Sequence, residues 1–101
     1  MIDKLTSADF APHVHEIFQV HLGQNGIIDL ELITVAELNP ATAMTPIGRR
    51  PFSIEFLGPI SQQYLPQHIY QLEHAAFGVL EIFLVPLGLL NGRMRYEAIF
   101  N

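Results

Sequence analysis

The sequence predicts an all-β domain, a small antiparallel barrel or sandwich of about six strands with a short N-terminal helix. Three observations carry this. Six short segments alternate apolar and polar residues at period two. Turn-forming residues separate them, including Asn-Gly pairs at 25–26 and 91–92. No stretch of helical period lies between strands, which argues against parallel βαβ units.

Thr6-Ser7-Ala8-Asp9 has the form of a capping box and predicts a helix over about 7–14. Pro12 limits it to one or two turns. Residues 16–22 read as the first strand, followed by the turn Gly23-Gln24-Asn25-Gly26. The second strand, 27–38, alternates through Ile28, Leu30 and Leu32, and then its apolar parity moves to Ile33 and Val35. A bulge there would account for the shift. Residues 39–51, with three prolines and a glycine, read as a long loop that is functional, mobile or simply crosses one end. Phe52, Ile54 and Phe56 mark a third strand over 52–57, ended by Gly58-Pro59. The fourth is 68–74, the fifth 79–85. Residues 88–92 read as a loop, and 93–100 as the sixth strand. All 101 residues fit a single domain.

Half of the residues are apolar and only 15% are charged, which excludes intrinsic disorder. The net charge of −5, with no Lys/Arg stripe, argues against nucleic-acid partners and against an anionic membrane surface. The most apolar run, 79–90, contains Glu81 and Pro86 and is far shorter than the roughly 20 residues of a membrane span. Met1-Ile2-Asp3-Lys4 lacks the apolar core of a signal peptide, so a cytoplasmic protein is expected. Without cysteine there is no disulfide, thiolate nucleophile or Cys-based zinc site.

No catalytic signature stands out, neither a nucleophile elbow nor a phosphate-cradling loop. Hence no enzyme, no catalytic residue and no cofactor are expected. The histidines are the main chemical resource. His13, His15 and His21 cluster near the first strand, and His74 closes the fourth. Together they form a candidate ligand or metal set at one barrel end. The competing reading is a polar strand face, with His74 a core-edge histidine sharing the parity of His68, Tyr70 and Leu72. Each strand also carries a glutamate (Glu16, Glu31, Glu55, Glu73, Glu81 and Glu97), expected to solvate the outer face. The fifth strand departs from the pattern: Leu80, Ile82 and Leu84 share one face, and Val79, Glu81, Phe83 and Val85 the other. A strand apolar on both faces is either covered twice within the domain or meets another chain, so Val79, Glu81, Phe83 and Val85 are the interface candidates.

The second half is specific enough to compare. Phe52-Ser-Ile-Glu-Phe-Leu-Gly-Pro59, Leu65-Pro66-Gln67, Tyr70-Gln-Leu-Glu-His74, Gly78, Phe83-Leu-Val-Pro86 with Gly88, and Tyr96-Glu-Ala-Ile-Phe-Asn101 follow in order. With Ala8-Asp-Phe-Ala-Pro12 and Phe18-Gln-Val20, the pattern resembles a bacterial family of about 100 residues known as a domain of unknown function. Its pattern carries glycine where this chain has His15 and His68. The resemblance implies a free-standing β-domain, encoded near phage-tail-collar-like proteins and accessory to a tail-fibre-like or surface assembly. It implies no chemistry. The combined expectation is a non-enzymatic structural or interaction module that associates with itself or with a larger assembly protein. The alternative is a small-ligand- or metal-binding barrel using histidines at one end, with residues 39–51 as a lid.

Overall fold

The computed structural model describes residues 5–37, 51–60 and 64–100; the long loop expected at 39–51 lies outside them but for Pro51. The chain folds as α1 (Ser7–Phe10), a 3₁₀ turn (Ala11–His13), and strands β1 (Ile17–His21), β2 (Ile27–Glu37), β3 (Phe52–Ile60), β4 (His68–His74), β5 (Gly78–Leu90) and β6 (Arg93–Phe100). All ladders are antiparallel. They close into a barrel in the order β1-β2-β3-β6-β5-β4, with β4 returning to β1. This settles barrel against sandwich. Two meanders, β1-β2-β3 and β4-β5-β6, are joined by the β3–β4 connection, whose ends lie on strands that are not neighbours.

The helix obeys its predicted start. The Asp9 carboxylate accepts the Thr6 backbone N–H at 2.8 Å, satisfying one of the donors a helix N-terminus leaves unpaired. One α-turn then tightens to 3₁₀ at Pro12, within the length expected. The bulge in β2 is also as expected: register shifts between Leu32 and Thr34, which moves the inward parity from Leu32 to Val35. The second Asn-Gly forms a two-residue turn between Leu90 and Arg93. Asn91 and Gly92 have φ of 53° and 81°, the positive pair that matches the right-handed strand twist. The first Asn-Gly differs. Gly23–Asn25 form a 3₁₀ turn, and the Leu22 N–H donates to the Gly26 carbonyl at 2.8 Å, making a longer loop.

Two strand ends are corrected. β3 runs through Gly58-Pro59 to Ile60, and β5 continues past Val85 to Leu90, so 88–90 is strand and not loop. Both continue because each ladder carries a register shift at its proline, between Leu57 and Ile60 and between Pro86 and Gly88. A bulge spares the backbone donor that proline lacks.

Inward residues fill the barrel. Phe18 and Val20, Leu30 and Leu32, Ile54 and Phe56, Leu72, Ile82 and Leu84 are all essentially inaccessible. A six-stranded barrel is narrow enough for side chains to fill it. One end is stopped by Phe10 of α1, whose ring lies among those of Phe18, Phe52, Phe77 and Phe100 at centroid distances of 4.8–6.4 Å. Toward the other end the β3–β4 connection contributes buried Leu65. Its backbone N–H donates to the Tyr96 hydroxyl at 2.8 Å, and the Tyr70 hydroxyl donates to the Pro66 carbonyl at 2.6 Å. The tyrosines thus tether the Leu65-Pro66 segment, and burial raises both phenol pKa values above their usual 10.0.

Candidate functional site

Two places on the barrel gather the sequence-predicted residues. The first is the rim beside Phe10. Glu16, just before β1, accepts through Oε1 from His13 Nδ1 at 2.8 Å and His74 Nε2 at 2.7 Å. The donor atoms of these three residues lie within 4.8 Å of one another. The His13 hydrogen bond, and then that of His74, hold the Glu16 carboxyl below its ordinary 4.5. The His74 ring is 9% exposed. It stacks on Phe18 at 4.4 Å and meets Phe77 and the His13 ring nearby.

The second nitrogen of His74 decides what this cluster can do. The Ala76 backbone N–H donates to His74 Nδ1 at 3.0 Å. A nitrogen that accepts carries no proton, so the proton of a neutral ring sits on Nε2, where it is donated to Glu16. A metal at Nε2 would need that proton removed or the Ala76 bond broken. As it stands, both ring nitrogens are satisfied. His74 closes the β4–β5 turn, and Glu16 ties that turn to the start of β1.

The other candidates are elsewhere. His15 Nδ1 approaches Glu31 Oε2 at 3.3 Å with its side chain 77% exposed. His21 Nε2 is 2.7 Å from Glu73 Oε1, across the β1–β4 seam. So the structure joins His13 and His74 but not His15 or His21, and gives each group its own glutamate. His68, which shares the parity of Tyr70, lies exposed at the start of β4, with its ring edge-on to Tyr70 at 5.5 Å. Beside His21 lies an open groove of about 530 Å³, bordered by Gly23, Ile27, Gln71, Glu73 and Val79. The glutamates do more than solvate. Glu16, Glu31, Glu55 and Glu73 pair with histidine or arginine, while Glu81 and Glu97 have no charged partner among the described residues.

The second place is the outer face of β5. Leu80, Ile82 and Leu84 are buried, whereas Val79 is 57% and Phe83 48% exposed, with Glu81 exposed and Val85 half-buried. Nothing among the described residues covers the outer row. Neighbouring strands extend it. Ile69 pairs with Phe83 across β4–β5, while the β5–β6 ladder ends at Val85↔Glu97, two residues short of Ile99 on β6. Ile69 and Ile99 are 57% and 56% exposed. Sequence reasoning found the β5 contribution but missed Ile69, because only the ladder pairing places it beside Phe83, and it did not single out the exposed Ile99. It also missed the exposed Ile60, Leu87, Leu89 and Leu90 near the β5–β6 turn. The period-two pattern of β5 was legible only as far as Val85.

Among the described residues no helix is long and apolar enough to cross a membrane. No curated protein and no solved structure gives a significant match. A family model described as a domain of unknown function (DUF6916) matches residues 5–100, and the chain belongs to that family.

Proposed function

We propose that this family member is a non-enzymatic structural or interaction module that docks through the outer face of β5, onto another copy or onto a larger assembly protein. An accessory place in a phage-tail-like or surface assembly is the setting this reading favours. The observation that carries it is the exposed apolar pair Ile69–Phe83, with Val79 on the same face of β5 and Ile99 exposed on β6. Contiguous exposed apolar surface on a soluble domain marks an interaction site more often than not. The filled barrel interior leaves no internal ligand chamber among the described residues, and the rim histidines are engaged with carboxylates.

Native mass spectrometry over a concentration series, on the wild type and on Phe83→Asp, tests this. The variant is expected to keep the wild-type circular dichroism spectrum and melting temperature, and to lose whatever assembly the wild type forms, with itself or with an added partner. If Phe83→Asp unfolds the barrel, the outer face is core and the reading falls. It falls too if the wild type is monomeric throughout and Phe83 is protected from hydroxyl-radical oxidation.

The closeness of His13, Glu16 and His74 supports a second reading, a metal-binding barrel end. Unchanged melting with Zn²⁺, Ni²⁺ or Mn²⁺ is the expected result. A metal-dependent rise that Glu16→Gln abolishes would favour the metal reading instead.

A further inference from the structure

The apolar row does not lie in a neutral field. On one side along β5 stand Glu81 and, across from it, Gln71; on the other stands Glu97, opposite both Val85 and Glu55. Like charges directly opposite on paired strands destabilise a sheet. Only one of these two acids is compensated, Glu55 by Arg95 at 3.4 Å. Glu81 and Glu97 have no charged partner among the described residues. Neither β4 nor β5 contains a lysine or arginine. The arginines of β6, Arg93 and Arg95, are engaged with Glu31 and Glu55.

We infer that the occupant of this face is a different protein surface, apolar at its centre and flanked by lysine or arginine, and not a second copy of this chain. The inference rests on the docking reading above and names the partner class. A second copy stacked face to face would set carboxylates against carboxylates at the edge of a desolvated patch, where like-charge juxtaposition is costly. A cation-flanked partner turns the same carboxylates into attractive contacts. It also gives Glu97, half-buried beside Val85, a counter-charge that no described residue provides. The apolar row supplies area, and the acids supply selectivity and salt-dependent association.

Two fluorescein-labelled amphipathic peptides with the same leucine pattern are the probes, one flanked by lysine and one by glutamate, titrated by fluorescence anisotropy against the full chain. The lysine peptide is expected to bind at least about tenfold more tightly, with affinity falling as salt rises. Phe83→Ser should weaken it by about tenfold or more. The double variant Glu81→Lys, Glu97→Lys should shift the preference toward the glutamate peptide. Equal binding of both peptides overturns the charge inference and leaves the docking face standing. Lysine-peptide binding that survives Phe83→Ser is adsorption elsewhere on an acidic chain and also overturns it. So does failure of both peptides to bind. A homodimer that Phe83→Ser dissolves would make the second copy the occupant, overturning the inference while upholding docking. Phe83 protected from oxidation in a monomer would sink the docking reading itself.

Discussion

His15 adopts φ of 77°, a region that costs a side-chain-bearing residue about 1–2 kcal/mol and glycine nothing. Its contact to Glu31 is long and exposed and is worth little. His15→Gly should therefore stabilise the barrel by roughly 0.5–1 kcal/mol in urea unfolding, after the entropy glycine gains when unfolded. A loss of stability would mean that the imidazole makes a contact worth more than the strain. Glu16 makes an acid-side prediction. Its pKa lies below 4.5 in the folded chain, so its contribution is present above the unfolded value and is lost as pH falls through the folded one. The melting-temperature gap between wild type and Glu16→Gln should hold at neutral pH and close as pH drops below 4.5. A gap that persists far into acid would show that Glu16 acts by packing. At the other end, Tyr96→Phe strips the buried Leu65 N–H of its acceptor and should cost about 1–3 kcal/mol. Wild-type stability in that variant would mean that water replaces the hydroxyl.

At the scale of elements, the ladders are unequal. β4–β5 pairs without a break from His68↔Leu84 to His74↔Gly78, whereas β1–β4 pairs only at Gln19↔Glu73, Val20↔Leu72 and His21↔Gln71. Two histidine–glutamate contacts bridge this short seam, His21 to Glu73 and His74 to Glu16. Local opening follows the shortest ladder with the fewest bonds to break. Amides that bond across β1–β4 should exchange with deuterium faster than those across β4–β5, and Glu73→Gln should widen the difference. Uniform protection around the barrel would mean that it opens only as a whole. The long strands β3 and β5 show the converse: a bulge at each proline lets the ladder continue past a residue that would otherwise end it.

For the molecule as a whole, closure removes the free edges through which β-proteins commonly associate. Association must then use a face or a protruding turn. The interior is occupied by its own side chains, and both ends are stopped by Phe10 and by the Leu65 segment. Among the described residues what remains on offer is the outer surface, where Ile69, Val79, Phe83 and Ile99 are exposed on β4, β5 and β6. With net charge −5 over the chain, long-range steering favours cationic partners and weakens with ionic strength. The sensitivity of Phe83→Asp in assembly, with folding intact, is therefore the readout at this scale.

Local rules made much of this legible in advance. Period-two alternation placed the strands, because side chains on a pleated strand alternate faces wherever one face is buried. The parity change after Leu32 announced a bulge, and Asn91-Gly92 announced its turn through the positive φ that only a few residue types accept readily. The capping box marked where the helix starts. The two-sided apolarity of 79–85 pointed to an uncovered face. Tertiary structure decided the rest. Whether the sheet closes depends on β4 meeting β1, a pairing between segments some fifty residues apart that no local pattern encodes. Which histidine meets which carboxylate depends on that same closure, since Glu16 and His74 are neighbours only across the seam. That β3 and β5 run on past Pro59 and Pro86 depends on bulges that a neighbouring strand accommodates. Composition and period act along the chain and are written in it; register, closure and the company each side chain keeps arise between distant segments, where only the folded backbone brings the groups within reach.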